Sequence, residues 1–189
     1  MTADTKLIPI GSQTVGPYFG IGLTYLVEHS PQSESGARNE IEIRGRILDG
    51  NGAPVPDAML EFWSDAATGK GSPAQLNENG FPKQFRRAMT DEDGAYRVSL
   101  PSPEPMPFGD EGTYAPRLLV LLFARGLSRH LISQVYFEDE PANASDPLLN
   151  GIAAERRPTL LARRDSAQPA VFHWDVVLQG QDETVFFAW

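Results

Sequence analysis

EIEIRGRILDGNGAPVPDAMLEFW, residues 40–63, decides the fold. Ile41, Ile43 and Ile47 lie among charged and small residues, so their side chains fall on one face of an extended chain. Asp49-Gly-Asn-Gly52 follows as a turn, because glycine tolerates positive φ without steric cost. Pro54-Val-Pro56 is an extended entry to a second strand, Ala58-Met-Leu-Glu-Phe-Trp63. In that strand Leu60 and Phe62 face opposite to Met59, Glu61 and Trp63.

The same alternation continues outward. A short strand is expected over Arg86–Thr90. A turn follows at Thr90-Asp-Glu-Asp-Gly94, then a strand over Ala95–Leu100 with Tyr96 and Val98 on one face. Pro101–Gly112 holds four prolines and two glycines and reads as loop, as do residues 64–84. Leu118–Ala124 is a continuous apolar run, the signature of a central strand buried on both faces. Leu131–Phe137, Thr159–Arg163, Val171–Leu178 and Thr184–Phe187 complete the expected strands. Asp146-Pro147 marks the start of one short helix. These readings predict an all-β chain, mainly an antiparallel β-sandwich with long loops and at most one or two short helices. One domain is expected over residues 1–189, with an N-terminal arm and loop at 1–39 and the sandwich core at 40–189.

Composition narrows the function. Sixteen basic against 25 acidic residues give a net charge of -9, which disfavours nucleic-acid backbones. The absence of cysteine removes disulfides and thiolate chemistry. Met1–Ile10 carries Asp4 and Lys6 and does not read as a signal peptide. No apolar run approaches the roughly 18 residues of a membrane span. A cytoplasmic protein is the expectation. The apolar Val185-Phe-Phe-Ala-Trp189 predicts burial in the core or against another chain.

Metal-binding and catalytic patterns are sparse. His29, His130 and His173 form no H-x-H or H-E-x-x-H arrangement, and each reads as structural. Asp91-Glu-Asp93 and Glu138-Asp-Glu140 read as solvated turns. No G-x-S-x-G elbow or phosphate loop is present. Two other segments hold groups suited to a pocket wall. Gln13-Thr-Val-Gly-Pro-Tyr18 reads either as a packed N-terminal arm or as a pocket wall, with a hydroxyl at Thr14, open backbone at Gly16 and a rigid Pro17. In Phe123-Ala-Arg-Gly126, Arg125 ends an apolar strand, where its guanidinium would pair with a carboxylate of the protein or of a substrate.

Seven motifs occur in order: Thr14-x-Gly-Pro-Tyr18; Asp49-Gly-x-Gly52 with Glu61-x-Trp63; Thr90-Asp-x-Asp-Gly94; Phe123-Ala-Arg-Gly126; Val135-Tyr-Phe-Glu-Asp139; Asp146-Pro-Leu-Leu149; and Gln179-Gly-x-x-Glu-Thr-Val-Phe-Phe187. Together they resemble the intradiol ring-cleavage dioxygenases, from about Ile10 onward. The resemblance implies a β-sandwich and a non-haem Fe(III) held by two tyrosines and two histidines. It also implies O2-dependent opening of a carboxylate-bearing catechol to a carboxymuconate. Iron-bearing members carry H-x-H at the start of the central strand. In this register Arg117 and Leu119 stand there, and neither side chain can bind iron. No tyrosine stands at the two positions where the family's ligands are expected, near Ser72–Leu76 and Pro103–Pro107. The resemblance therefore implies an alpha-type subunit whose homologous beta subunit holds the iron in an (αβ)n oligomer. This chain would supply Thr14, Gly16, Pro17 and Arg125 to the pocket of a small aromatic acid. The competing expectation is a non-enzymatic, prealbumin-like binding module, which leaves the Gln13–Tyr18 and Phe123–Gly126 segments unexplained.

Overall fold

The strand β1 (Glu40–Leu48) organises the fold, and its alternating burial follows the isoleucines that mark it in the sequence. The computed structural model describes residues 40–64, 85–108 and 112–188. In chain order the further strands are β2 (Met59–Ser64), β3 (Phe85–Met89), β4 (Ala95–Pro101), β5 (Met106–Phe108), β6 (Gly112–Tyr114), β7 (Arg117–Phe123), β8 (Leu131–Phe137), β9 (Leu161–Arg164), β10 (Val171–His173) and β11 (Val176–Val177). One α-helix, α1 (Pro147–Asn150), and two 3-10 turns at Pro141–Ser145 and Arg157–Leu160 interrupt them.

Nine of these strands join in one sheet of order β11-β1-β10-β9-β8-β7-β2-β3, with β4 paired to β1 beside this path. β4 also lies against β3, so the sheet nearly closes around its core. All-β is therefore the observed class, and hydrogen bonding draws one curled sheet. Pairing is mainly antiparallel, but β1 runs parallel to β10 and β11, and β8 runs parallel to β9. Ile43, Ile47, Leu60, Phe62, Leu100, Leu118, Val120, Leu122 and Val135 form the centre of one apolar cluster. A second, smaller cluster gathers Ala115, Tyr136, Leu149 and Leu160.

Several expectations need correction. The segment 101–112 is not wholly loop, since Met106–Phe108 pairs with Gly112–Tyr114. Residues 118–124 are not buried on both faces. Leu118, Val120 and Leu122 enter the core, while Leu119, Leu121 and Phe123 on the opposite face stay half-buried. Thr159 and Leu160 belong to a 3-10 turn, entered through Pro158, so the next strand starts at Leu161. The stretch 171–178 is broken in two because the Asp175 carboxylate, rather than a strand carbonyl, takes the Arg46 N–H at 2.8 Å. Residues 184–187 form no strand. Phe187 N–H reaches Ile132 O at 2.8 Å, but Val185 O is met by the Ser133 hydroxyl, so no backbone ladder develops. The apolar end is nonetheless used, with Phe186 packed on the main core and Val185 and Phe187 on the smaller one.

The break between β10 and β11 brings Trp174 against β1. Trp174 N–H donates to Arg44 O at 2.8 Å, and the buried Tyr96 hydroxyl donates to Trp174 O at 2.7 Å. Burial pushes the Tyr96 phenol well above its usual pKa, so it remains a donor. Only glycine fits at position 45, because a Cβ there would stand 1.8 Å from Trp174 O. Gly45→Ala should therefore force β1 and Trp174 apart. The expected cost is at the upper end of the ~1–3 kcal/mol range for overpacking, lowering the thermal midpoint by about 5–10 °C. An unshifted melting curve would contradict this packing.

Candidate functional site

The start of β7 is where the family pattern would place a metal. Arg117 opposes Tyr136 on β8, and Leu119 stands between Gln134 on β8 and Trp63 on β2. The Arg117 side chain is buried. Its Nε donates to Gln134 Oε1 at 3.0 Å, and its guanidinium carbon lies 3.9 Å from the centre of the Tyr114 ring. A terminal nitrogen sits 3.7 Å from Asp146 Oδ2.

Asp146 is fully buried, so its charge must be met inside the protein. Its Oδ2 accepts the Ala115 N–H at 2.8 Å. Its Oδ1 accepts the Leu149 N–H at 2.7 Å and the Tyr136 hydroxyl at 3.2 Å. The Leu149 bond is the N-cap of α1, so one carboxylate caps the helix and holds the lead-in to β7. Burial, and then the Asp146 charge, push the Tyr136 phenol far above its usual pKa.

These donors do not fit a ferric site. Guanidinium has no free lone pair, leucine has no donor atom, and Tyr136 is held in its protonated form beside a carboxylate. Among the described residues no group of three or more His, Cys, Asp or Glu is placed to hold a metal ion. Pro103–Pro107 presents prolines, Glu104 and Met106. The other expected tyrosine position, Ser72–Leu76, lies outside the described residues.

Of the candidate pocket residues, Thr14, Gly16 and Pro17 also lie outside the described residues. Arg125 is described, and it is not buried: its side chain is 62% exposed, one residue beyond Ala124, where β7 gives way to a turn. Its Nε stands 3.6 Å from Asp57 Oδ2, too long for a hydrogen bond. Asp57 occupies the left-handed region at φ 60°, a conformation uncommon for a residue with a side chain. The Arg125 cation is thus held loosely and open to a second anion.

The remaining candidates that are described make contacts within the fold. His130 stacks on Phe123 with ring centres 5.4 Å apart. His173 meets Asp165 at 2.9 Å, and this contact holds the Asp165 carboxyl below its usual range. His29 lies outside the described residues. Asp91 folds its own turn by accepting the Asp93 and Ala95 N–H groups. Glu140 caps the turn at 141–145. Sequence reasoning missed Asp146 as the partner of Arg117. It was visible only as a helix cap, and the 31 residues separating it from Ala115 leave no local signal.

The comparisons with known proteins agree on a family. The family described as Dioxygenase matches residues 16–180. The protocatechuate 3,4-dioxygenase alpha chain of Burkholderia cepacia is 37% identical, with 97% of this chain and 98% of that one aligned. The same-named chain of Pseudomonas putida is 35% identical, covering 93% and 94%. The beta chain of the Burkholderia cepacia protein is 29% identical over 76% of this chain and 66% of its own. Among solved structures, 3-chlorocatechol 1,2-dioxygenase from Rhodococcus opacus 1CP aligns over 91% of this chain and 68% of that one, at 20% identity and a TM-score of 0.59. That likeness concerns the fold.

The Arg117–Asp146 cluster yields an asymmetric prediction. Asp146→Ala strands a buried guanidinium and three donors, at a cost of about 3–5 kcal/mol. Arg117→Met should cost clearly less, because Asp146 keeps the Ala115, Leu149 and Tyr136 donors. Urea denaturation with an unchanged m-value measures both, and equal costs would contradict the assignment.

Proposed function

Because the chain belongs to the dioxygenase family, we propose that it is the alpha subunit of a protocatechuate 3,4-dioxygenase. In this reading it supports intradiol, O2-dependent cleavage of 3,4-dihydroxybenzoate to 3-carboxy-cis,cis-muconate. A homologous beta subunit carries the Fe(III) in an (αβ)n complex of the cytoplasm. The observation that carries the reading is the near end-to-end match to two alpha chains, 37% and 35% identical. The donor set at Arg117 and Leu119 supports it, since that set fits an internal ion pair and not iron. We read the curled sheet as the family's sandwich, with β1, β4 and β10 in one layer and β2, β3, β7 and β8 in the other. The two layers would face each other across the shared core.

The chain's own contribution is binding and orientation. Arg125 stays protonated at any working pH, and its side chain stands in solvent with one distant carboxylate beside it. A substrate carboxylate would compete with Asp57 for that guanidinium. Thr14, Gly16 and Pro17 would supply a hydroxyl, open backbone and a rigid bend to the same wall.

Two experiments test this reading. The chain purified alone should be colourless, iron-free and inactive. Co-expression with its beta partner should give a coloured protein whose iron follows the beta chain. Iron and turnover in the isolated chain would sink the proposal. In the assembled enzyme, Arg125→Ala should raise KM about ten- to a hundredfold, the value of one charge-assisted pair, with little change in assembly. An unchanged KM with an intact oligomer would remove Arg125 from the pocket.

A further inference from the structure

Asp57 and Arg125 lie opposite each other just beyond the ladder that joins β2 and β7. Met59 pairs with Phe123, and two further steps along the same antiparallel register bring Asp57 across from Arg125. Each residue sits at the centre of a turn. In the first, Pro56 precedes Asp57 at φ 60°; in the second, Arg125 precedes Gly126 at φ 86°. The second turn closes directly, Leu127 N–H to Ala124 O at 3.3 Å, and Leu127 packs on the main core. The first closes through a side chain. The buried Thr90 hydroxyl donates to Val55 O at 2.9 Å and accepts the Ala58 N–H at 2.8 Å. Both backbones are therefore fixed where the two side chains leave them.

The position of Asp57 carries a cost. After a turn proline, a residue at positive φ is ordinarily glycine or asparagine. The carboxylate does not offset this locally. Its Oδ1 is buried and accepts no hydrogen bond among the described residues, and its Oδ2 comes no nearer than 3.6 Å to Arg125 Nε. Arg125 in turn makes no hydrogen bond among the described residues. A negative charge is thus kept beside the guanidinium without the hydrogen bonds that would lock the pair.

A ligand carboxylate can offer the guanidinium two aligned oxygens, which Asp57 does not. Such a ligand displaces Asp57, and its affinity is what remains once the internal pair is given up. We propose that Asp57 is a specificity-determining residue of the pocket, a built-in competitor for Arg125. It weakens carboxylate-bearing ligands and leaves ligands without a carboxylate untouched. This role rests on the assignment of Arg125 to the substrate pocket. It also serves turnover. The substrate of the proposed reaction carries one carboxylate and the muconate product three, so the product would hold Arg125 more firmly. Asp57 stays within reach to take the guanidinium back as the product leaves.

Asp57→Asn tests the role in the assembled enzyme, because asparagine keeps the shape, tolerates the positive φ and removes the charge. KM for 3,4-dihydroxybenzoate should fall about two- to fivefold, the value of a solvent-exposed ion pair. Inhibition by benzoate should strengthen by a similar factor, and inhibition by catechol, which has no carboxylate, should not change. Asp57→Gly should act on KM in the same direction without lowering the melting midpoint, since glycine suits φ 60°. In an Arg125→Ala background Asp57→Asn should leave KM where it is, which closes a double-mutant cycle. An unchanged or raised KM in both Asp57 variants, equal shifts for catechol and benzoate, or an effect that survives Arg125→Ala would each overturn the role. Each of those results would leave the KM effect of Arg125→Ala itself in place. If Arg125→Ala alone leaves KM unchanged, the pocket assignment fails and the role of Asp57 fails with it.

Discussion

A single buried carboxylate ties together the parts of this fold that strand pairing does not. Asp146 has no exposed surface, and four groups from three places in the chain converge on it. Ala115 and Arg117 come from the entry to β7, Tyr136 from β8 and Leu149 from α1. A charge in this position is tolerable only when each lone pair is met, so the helix, the two strands and the guanidinium are fixed relative to one another. The smaller core cluster of Ala115, Tyr136, Leu149 and Leu160 packs around the same point.

The larger core depends on a steric constraint instead. β1 borders β4 on one side and the β10–β11 segment on the other, and its approach to Trp174 leaves no room for a side chain at position 45. The Tyr96 hydroxyl fixes the Trp174 carbonyl from the facing side, and the Trp174 indole N–H donates to Thr159 O at 3.0 Å. Trp174 therefore links β1 through its backbone N–H, β4 through its carbonyl and the turn before β9 through its indole, and it sets where β10 must end.

Much of this was legible in the sequence, because period-two alternation is a local signal. β1, β2, β4 and β8 appear within a residue or two of where their isoleucines, leucines and valines place them. The failures have a common cause. The break at Trp174–Asp175 depends on an Arg46 N–H that lies 129 residues away in sequence. The absence of a strand at 184–187 depends on the Ser133 hydroxyl standing where a backbone donor would be needed. The apolar run of β7 resembled a doubly buried strand, because hydrophobicity alone does not report which faces a sheet covers. At the candidate site, Arg117 and Leu119 were readable as residues that cannot bind iron. The exposure of Arg125 was not readable, because a guanidinium after an apolar strand looks the same in sequence whether it turns inward or into solvent.

The Arg117–Asp146 pair also bears on how such a chain can change over generations. Replacing Arg117 with histidine would supply one of the donors that a metal centre requires, yet it would also take away the guanidinium beside a buried carboxylate. Leu119 would need its own replacement, and the half-buried Leu121 and Phe123 along the same face of β7 favour an apolar neighbour there. Each single step towards a metal centre would be penalised in stability before any new chemistry could reward it. The site behaves as a ratchet: once the guanidinium is seated on Asp146, regaining a ligand set would demand several substitutions at once.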